Sequence, residues 1–184
     1  MTLRLVKASK KYLPAFAKGL DEHRTDSACF GLNTVKELIQ IFDNGQMDQW
    51  FKKRKWADSG INLPAGYVRN TNYWLMDGKD FIGSFTLRYA LTPALKQIGG
   101  NIGYSVVPSK RRKGYATAGV ILLLKKARAA GLNRVLITCH FDNEASFALI
   151  TKLKKLYGGR QISDSTAEGH LEHRVWINTL PPKK

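Results

Sequence analysis

The sequence predicts a single mixed α/β domain, and three observations support that prediction. The chain has 184 residues, of which 43% are apolar, enough to bury one core and too few for two well-separated domains. Runs with helical periodicity and runs typical of strands both occur. Their order is a strand, a group of helices, a series of strands, and then strands alternating with helices, without an internal repeat.

The first 72 residues predict one strand followed by helices. Residues 3–6 form a short strand pattern, and 11–23 carry apolar residues at the spacing of one helical face. Two further helical patterns follow at 34–42 and 47–56, separated by the turn signal Asp-Asn-Gly. Residues 58–72 lack periodicity and predict a long connecting loop, a type of segment that is often functional.

From residue 73 the pattern changes to strands. Residues 73–76 and 81–88 flank an Asp-Gly pair, which predicts a hairpin. After a loop with Pro93 and a Gly-Gly pair, residues 101–107 predict a further strand that ends at Pro108. These three strands form the middle of the predicted sheet.

The last part of the chain predicts alternating helices and strands. A helix over 114–130 is followed by Gly131, which is typical of a left-handed helix stop. Residues 134–139 are almost wholly apolar, as in a strand buried on both faces. A second helix is predicted over 143–156, and a last strand over 171–177.

The composition restricts the partners and the location of the protein. The net charge is +16, which favours anionic partners of any kind. No apolar run is long enough to span a bilayer and no secretory signal is visible, so we expect a cytoplasmic protein without membrane contact. The two cysteines, Cys29 and Cys139, lack the clustering of a zinc site, so we expect no metal.

The most informative segment is GYSVVPSKRRKGYATAG, which starts at Gly103. A strand leads into a basic loop with a glycine, and the loop opens a helix. Unpaired N–H groups and the positive end of the helix dipole therefore meet several cations, which predicts an anion site, most simply for a phosphate. The segment contains neither a P-loop nor a dinucleotide-binding motif. The alternative is a basic turn that connects the strand to the helix and binds no anion.

Residues 111–116, RRKGYA, resemble the Q/R-x-x-G-x-G/A motif of the GNAT superfamily of N-acetyltransferases. The preceding IGYSVVP is similar to the central strand of that family. Asn143-Glu144-Ala145-Ser146 resembles its second cofactor motif, 27 residues after Ala116. The resemblance covers residues 81–159 and implies a mostly antiparallel sheet that splays at the cofactor site. Residues 1–72 would then form the variable substrate side, 73–159 the cofactor core, and 160–184 a terminal strand and tail.

The resemblance implies binding of acetyl-coenzyme A. The backbone of Val106 and Val107 would pair with the pantetheine arm, and N–H groups of residues 112–117 would hold the pyrophosphate. Asn143 would bond the pantetheine, with Ser146 on the same wall, although Asn143 is also a good helix cap. The implied cofactor-binding residues are Val106, Val107, Arg111, Arg112, Lys113, Gly114, Tyr115, Ala116, Thr117, Asn143 and Ser146.

The match departs from the family at one catalytic position. Many members have a tyrosine seven residues after the equivalent of Asn143, as acid for the departing thiolate, and this chain has Ile150 there. For the general base, His140 is the first candidate and Tyr104 the second. The oxyanion formed in the reaction would be held by a backbone N–H near Val106.

The resulting hypothesis is an enzyme that transfers acetyl from acetyl-coenzyme A to a primary amine in a ternary complex. The alternatives are a basic domain associated with nucleic acid, although no recognition module is visible, and a protein that binds acetyl-coenzyme A without transfer. The positive charge argues against a strongly cationic acceptor unless Asp21, Glu22, Asp26 and Asp43 gather around it. The sequence leaves open whether the chain forms a homodimer.

Overall fold

The computed structural model describes residues 2–26, 32–162 and 172–182, with backbone alone at 32–34. The strands are β1 (Leu3–Lys7), β2 (Asn70–Asp77), β3 (Asp80–Arg88), β4 (Ile102–Val106), β5 (Arg134–His140), β6 (Gly159–Ile162) and β7 (Glu172–Asn178). The helices are α1 (Leu13–Arg24), α2 (Leu32–Asp43), α3 (Met47–Ser59), α4 (Pro93–Gln97), α5 (Tyr115–Ala129) and α6 (Glu144–Tyr157).

All seven strands join one mixed sheet in the order β1-β2-β3-β4-β5-β7-β6. Every neighbouring pair is antiparallel except β4 and β5, which are parallel. The predicted fold class, a mixed sheet that is mostly antiparallel and flanked by helices, is therefore confirmed.

Each face of the sheet buries its own core. On one face, Leu123 of α5 and Ile150 of α6 lie in one buried cluster with Phe85 of the sheet. On the other, α1 and α3 cover a second cluster in which Phe16 stacks on the fully buried Trp74 with ring centroids 4.5 Å apart. Burial of such large apolar side chains is the main force that holds helices on a sheet.

Most predicted elements are present, with two corrections. The loop with Pro93 contains a short helix, α4, whose cap is the side chain of Thr92. After α6, Gly159 begins the edge strand β6 (Gly159–Ile162), which the sequence analysis missed. The predicted left-handed stop after α5 is confirmed at Gly131, where φ is +85°.

Cys139 lies in the core, as its apolar strand predicted, whereas Cys29 lies outside the described residues. Over residues 2–26, 32–162 and 172–182, no helix has the length and apolar character needed to cross a membrane. No cluster of metal-ligating side chains occurs in the same residues.

Candidate active site

The site begins where β4 and β5 stop pairing. In the described chain their register contains the single pair Ile102 and Ile137, although both strands continue past it. Asn101 fixes this junction, because its N–H donates to the Leu136 carbonyl at 2.7 Å and its side-chain oxygen accepts from the Leu136 N–H at 2.8 Å. Beyond the junction, the facing edge of β4 pairs with no strand among the described residues.

The backbone of β4 presents polar groups to this open edge. Hydrogen bonding alternates along an antiparallel pair, and the N–H of Val107 donates to Ile82 of β3 at 3.0 Å. Like Val107, residues Gly103 and Ser105 direct their backbone N–H groups towards β3. The N–H groups of Tyr104 and Val106 therefore point away from β3, towards the opening. The carbonyl of Val106 accepts a bond from Arg111 Nε at 3.1 Å.

The basic loop after β4 delivers the chain to the start of α5. Gly114 is the N-cap residue with φ of +81°, and no side chain caps the first turn. A Cβ built on Gly114 would meet no atom within 4 Å, so backbone conformation rather than crowding favours glycine here. The first N–H groups of α5, on Tyr115, Ala116 and Thr117, therefore keep their capacity to bind an anion.

The side chains of this loop divide into two groups. Arg112 is exposed and has a φ of +59°, which is uncommon for a residue with a side chain and is typical of functional turns. Lys113 is exposed and bonds the Ser109 carbonyl at 2.8 Å. Tyr115 turns inwards, and its hydroxyl donates to Asp77 at 3.0 Å, a bond that raises the pKa of the phenol. Only the first two side chains can reach a bound anion from the surface.

Two of the residues predicted to contact the cofactor have protein partners in this structure. The Arg111 guanidinium makes a bidentate pair with Asp26 at 2.5 and 3.2 Å. The carbonyl of Val107 accepts from the Lys110 N–H, and its own N–H is bonded to β3. Its side chain is buried in the core under α1.

The second motif lies at the start of α6. Asn143 is its N-cap, and its side-chain oxygen accepts a bond from the Ser146 N–H at 3.0 Å. This oxygen therefore caps the helix, as the alternative interpretation of Asn143 predicted. Ser146 is buried, and its hydroxyl lies 2.7 Å from the hydroxyl of Tyr104. Burial raises the pKa of Tyr104 to about 12.

His140 lies at the end of β5, next to the opening. Its side chain is 48% exposed, its Nδ1 lies 3.5 Å from an oxygen of Asp142, and Nδ1 accepts from the Asp142 N–H at 3.3 Å. Ile150, at the position of the family tyrosine, is fully buried in the core. The structure thus brings Tyr104, Ser146 and the start of α6 together, whereas His140 contacts Asp142.

Sequence reasoning named Glu22 and Asp26 only as residues that could gather around a cationic acceptor, and it missed their contact with the basic loop. Glu22 accepts bonds from the N–H and the hydroxyl of Ser109, both at 2.9 Å, and Asp26 holds Arg111. The only signal was two carboxylates four residues apart, and nothing local linked them to a loop more than 80 residues away. The fold alone supplies this contact.

The splayed parallel pair and the uncapped helix start together place an open strand edge beside an anion-binding helix terminus. The sequence matches the acetyltransferase (GNAT) domain family over residues 3–154, and the chain belongs to that family. Its class, an N-acetyltransferase that uses acetyl-coenzyme A, is confirmed at this level.

Solved structures support the fold. RimL, a ribosomal L7/L12 alpha-N-protein acetyltransferase in complex with coenzyme A, is 15% identical with a TM-score of 0.58, over 98% of this chain and 95% of that chain. The Salmonella typhimurium acetyl transferase that modifies the N-terminal serine of L7/L12 is 18% identical with a TM-score of 0.55, over 97% of this chain and 94% of that chain. A chimera of spermidine N-acetyltransferase SpeG from Vibrio cholerae and hSSAT is 12% identical with a TM-score of 0.59, over 97% of this chain and 96% of that chain. No curated protein matches the chain.

Proposed function

We propose that the protein transfers the acetyl group of acetyl-coenzyme A directly to a primary amine, with both substrates bound together. The main support is the uncapped first turn of α5 beside the unpaired edge of β4. A helix start with free N–H groups fits a pyrophosphate, and a strand edge without a partner fits the amide-bearing pantetheine arm. Side chains would contribute little to this half of the site.

Each part of the cofactor has protein groups that suit it. The N–H groups of Tyr115, Ala116 and Thr117 would hold the pyrophosphate, with Arg112 and Lys113 as exposed cations. The N–H groups of Tyr104 and Val106 point into the opening, where they can stabilise negative charge on the thioester oxygen. When bound, acetyl-coenzyme A supplies the activated acetyl group, so no nucleophile of the enzyme is needed.

Two residues are proposed to move protons. His140, half exposed at the end of β5, would take the proton of the attacking ammonium. Tyr104 suits the opposite role, because a hydroxyl with a pKa of about 12 keeps its proton at neutral pH. We therefore propose Tyr104, bonded to Ser146, as the proton donor for the thiolate, in place of the tyrosine that Ile150 replaces.

The charges around the site favour an acceptor that is not a polycation. The four carboxylates that could have gathered around such a substrate are engaged: Asp21 and Asp43 bond Arg24, Asp26 bonds Arg111, and Glu22 bonds Ser109. With a net charge of +16, the protein would repel a polyamine. Among the amines named for the similar structures, we propose a protein or peptide α-amine rather than spermidine.

The test is an acceptor panel with acetyl-coenzyme A and detection of released coenzyme A. We expect turnover with peptides that carry a free α-amine, faster when the following residues are acidic, and at least tenfold slower turnover with spermidine. Cofactor binding without turnover on any amine would indicate a non-catalytic binding protein. Tight RNA binding that falls steeply with salt, without cofactor binding, would indicate the nucleic-acid alternative.

A further inference from the structure

The C-terminal end of α1 holds the basic cofactor loop by two carboxylates. Glu22 accepts from the N–H and hydroxyl of Ser109, at the start of the loop. Asp26, just past the C-cap residue Thr25, pairs with Arg111 two residues further along. Both contacts join residues at least 85 positions apart in the chain. The helix on one face of the sheet thus fixes a loop that starts the helix on the other face.

The Asp26–Arg111 pair also reaches the central strand. Arg111 uses both terminal nitrogens on Asp26 and its Nε on the Val106 carbonyl. The Asp26 side chain is only 8% exposed and that of Arg111 is 32% exposed, so the pair is shielded from water on the carboxylate side. Bidentate pairs of this kind have a defined geometry as well as a favourable energy. A chain of three groups therefore runs from α1 to the last residue of β4.

This contact has a consequence for the open edge. Val106 directs both of its polar groups to the opening, and the Arg111 contact occupies the carbonyl. The N–H of the same residue remains for the cofactor. On the β3 side, the N–H of Val107 holds this peptide plane through Ile82, and on the open side Arg111 bonds the Val106 carbonyl, so the two contacts together fix the course of the chain at Val106.

We propose that Asp26 is a positioning residue for acetyl transfer, which acts through Arg111 on the Val106 segment of β4. This inference rests on the proposed function, since it concerns the same site. Arg111 would then serve the reaction from inside the protein instead of binding the phosphates of the cofactor, the role that the motif resemblance implied. Small displacements of groups that stabilise charge in the reaction can cost about 100-fold in rate.

The two roles for Arg111 predict opposite effects of Asp26→Asn. If Asp26 positions Val106 through Arg111, the variant loses between about tenfold and 100-fold in kcat, while the Kd for coenzyme A stays within about threefold. If Arg111 binds the phosphates, removal of the neighbouring negative charge strengthens coenzyme A binding and leaves kcat unchanged. Calorimetric titration with coenzyme A and steady-state kinetics separate these outcomes.

A double-mutant cycle tests whether the pair acts as one unit. We expect Arg111→Gln to lower kcat about as much as Asp26→Asn, and the double variant to be no worse than either. Lys110→Gln is the matched control from the same loop, because its ammonium forms a surface pair with Asp80 at 3.1 Å. It should leave both kcat and the Kd for coenzyme A nearly unchanged. Additive losses in the double variant would overturn the proposal.

A stability effect must be separated from a positioning effect. All variants are assayed well below their melting temperatures, and Asp26→Glu, which keeps the charge, should recover part of kcat. A lower melting temperature with unchanged kcat and Kd in Asp26→Asn would show a purely structural pair and overturn the inference. If the unmodified protein binds coenzyme A but acetylates nothing, the proposed function itself fails, and the two failures remain distinguishable.

Discussion

The hydroxyl of Tyr104 on β4 lies 2.7 Å from the hydroxyl of Ser146 on α6, and this bond joins the two elements on the open side of β4. The tyrosine ring is fixed as well, because it stacks on Phe85 with an angle of 19° between the ring planes. Because both the ring and the hydroxyl of Tyr104 are held in place, the hydroxyl has a defined direction in which to donate a proton.

Tyr104→Phe tests this role. The variant keeps the ring and its contact with Phe85 and loses only the hydroxyl. We expect kcat to fall by about 100-fold, a typical contribution of a positioned proton donor, with the Kd for coenzyme A within about threefold. Steady-state kinetics and calorimetric titration provide both values. An unchanged kcat would restrict the hydroxyl to a structural bond with Ser146.

The same residue predicts a change of stability at alkaline pH. Burial raises the pKa of Tyr104 to about 12, and burial with the bond to Tyr89 raises that of Tyr73 to about 12. An unfolded tyrosine loses its proton near pH 10, so between pH 10 and 12 the unfolded state binds fewer protons than the folded state. The free energy of unfolding should therefore fall as the pH rises through this range.

Urea unfolding at a series of pH values checks this expectation. Tyr104→Phe should flatten the dependence between pH 10 and 12, because one of the two buried phenols is removed. Tyr67→Phe is the control, since that side chain is 66% exposed. An equal slope in all three proteins would contradict the assignment of the effect to Tyr104.

Gly114 and Gly131 provide a matched pair at the two ends of α5. Their φ angles are +81° and +85°, and a Cβ at either would meet no atom within 4 Å. Alanine at either position should cost about 1 kcal/mol in stability, because both residues are left-handed. Only Gly114→Ala should weaken coenzyme A binding, since only it adds atoms beside the phosphate-binding N–H groups. Equal affinities in both variants would place the anion site elsewhere.

Coenzyme A and acetyl-coenzyme A should stabilise the fold. A ligand at 100 times its Kd adds about 2.7 kcal/mol to the free energy of unfolding. Thermal unfolding with increasing acetyl-coenzyme A should show a rising melting temperature, and Gly114→Val should abolish the shift. Absence of any shift at millimolar cofactor would contradict the proposed site.

His140→Gln tests the proposed base. We expect turnover to fall by about 100-fold with nearly unchanged affinity for the cofactor, because His140 lies at the strand end and not in the phosphate loop. A rate within about threefold of the unmodified protein would mean that the amine arrives deprotonated or that another group accepts its proton. The cofactor half of the site would be unaffected by that result.

The sequence predicted the backbone of the loop and helix start at Gly114 better than it predicted the contacts of individual side chains. Gly114 and the helix start after it are local features, and a strand-loop-helix motif of a few residues predicts them. The contacts of Arg111 with Asp26 and of Val107 with Ile82 were not predicted, because these partners come from distant parts of the chain. Strand β6 was missed because it has four residues and follows a helix stop at Gly158. Local patterns predict backbone conformation, whereas a cation's choice between two anions depends on the assembled fold.

The open edge of β4 also bears on how such an enzyme can diverge. The groups that we propose for cofactor binding are mainly main-chain N–H groups of Tyr104, Val106 and the first turn of α5. Exchanging one side chain for another leaves these donors in place as long as the backbone keeps its course. Similar folds at 12–18% identity are therefore physically unsurprising. We expect that changes in the loops on the substrate side can accommodate a new acceptor amine without altering the groups proposed to bind acetyl-coenzyme A.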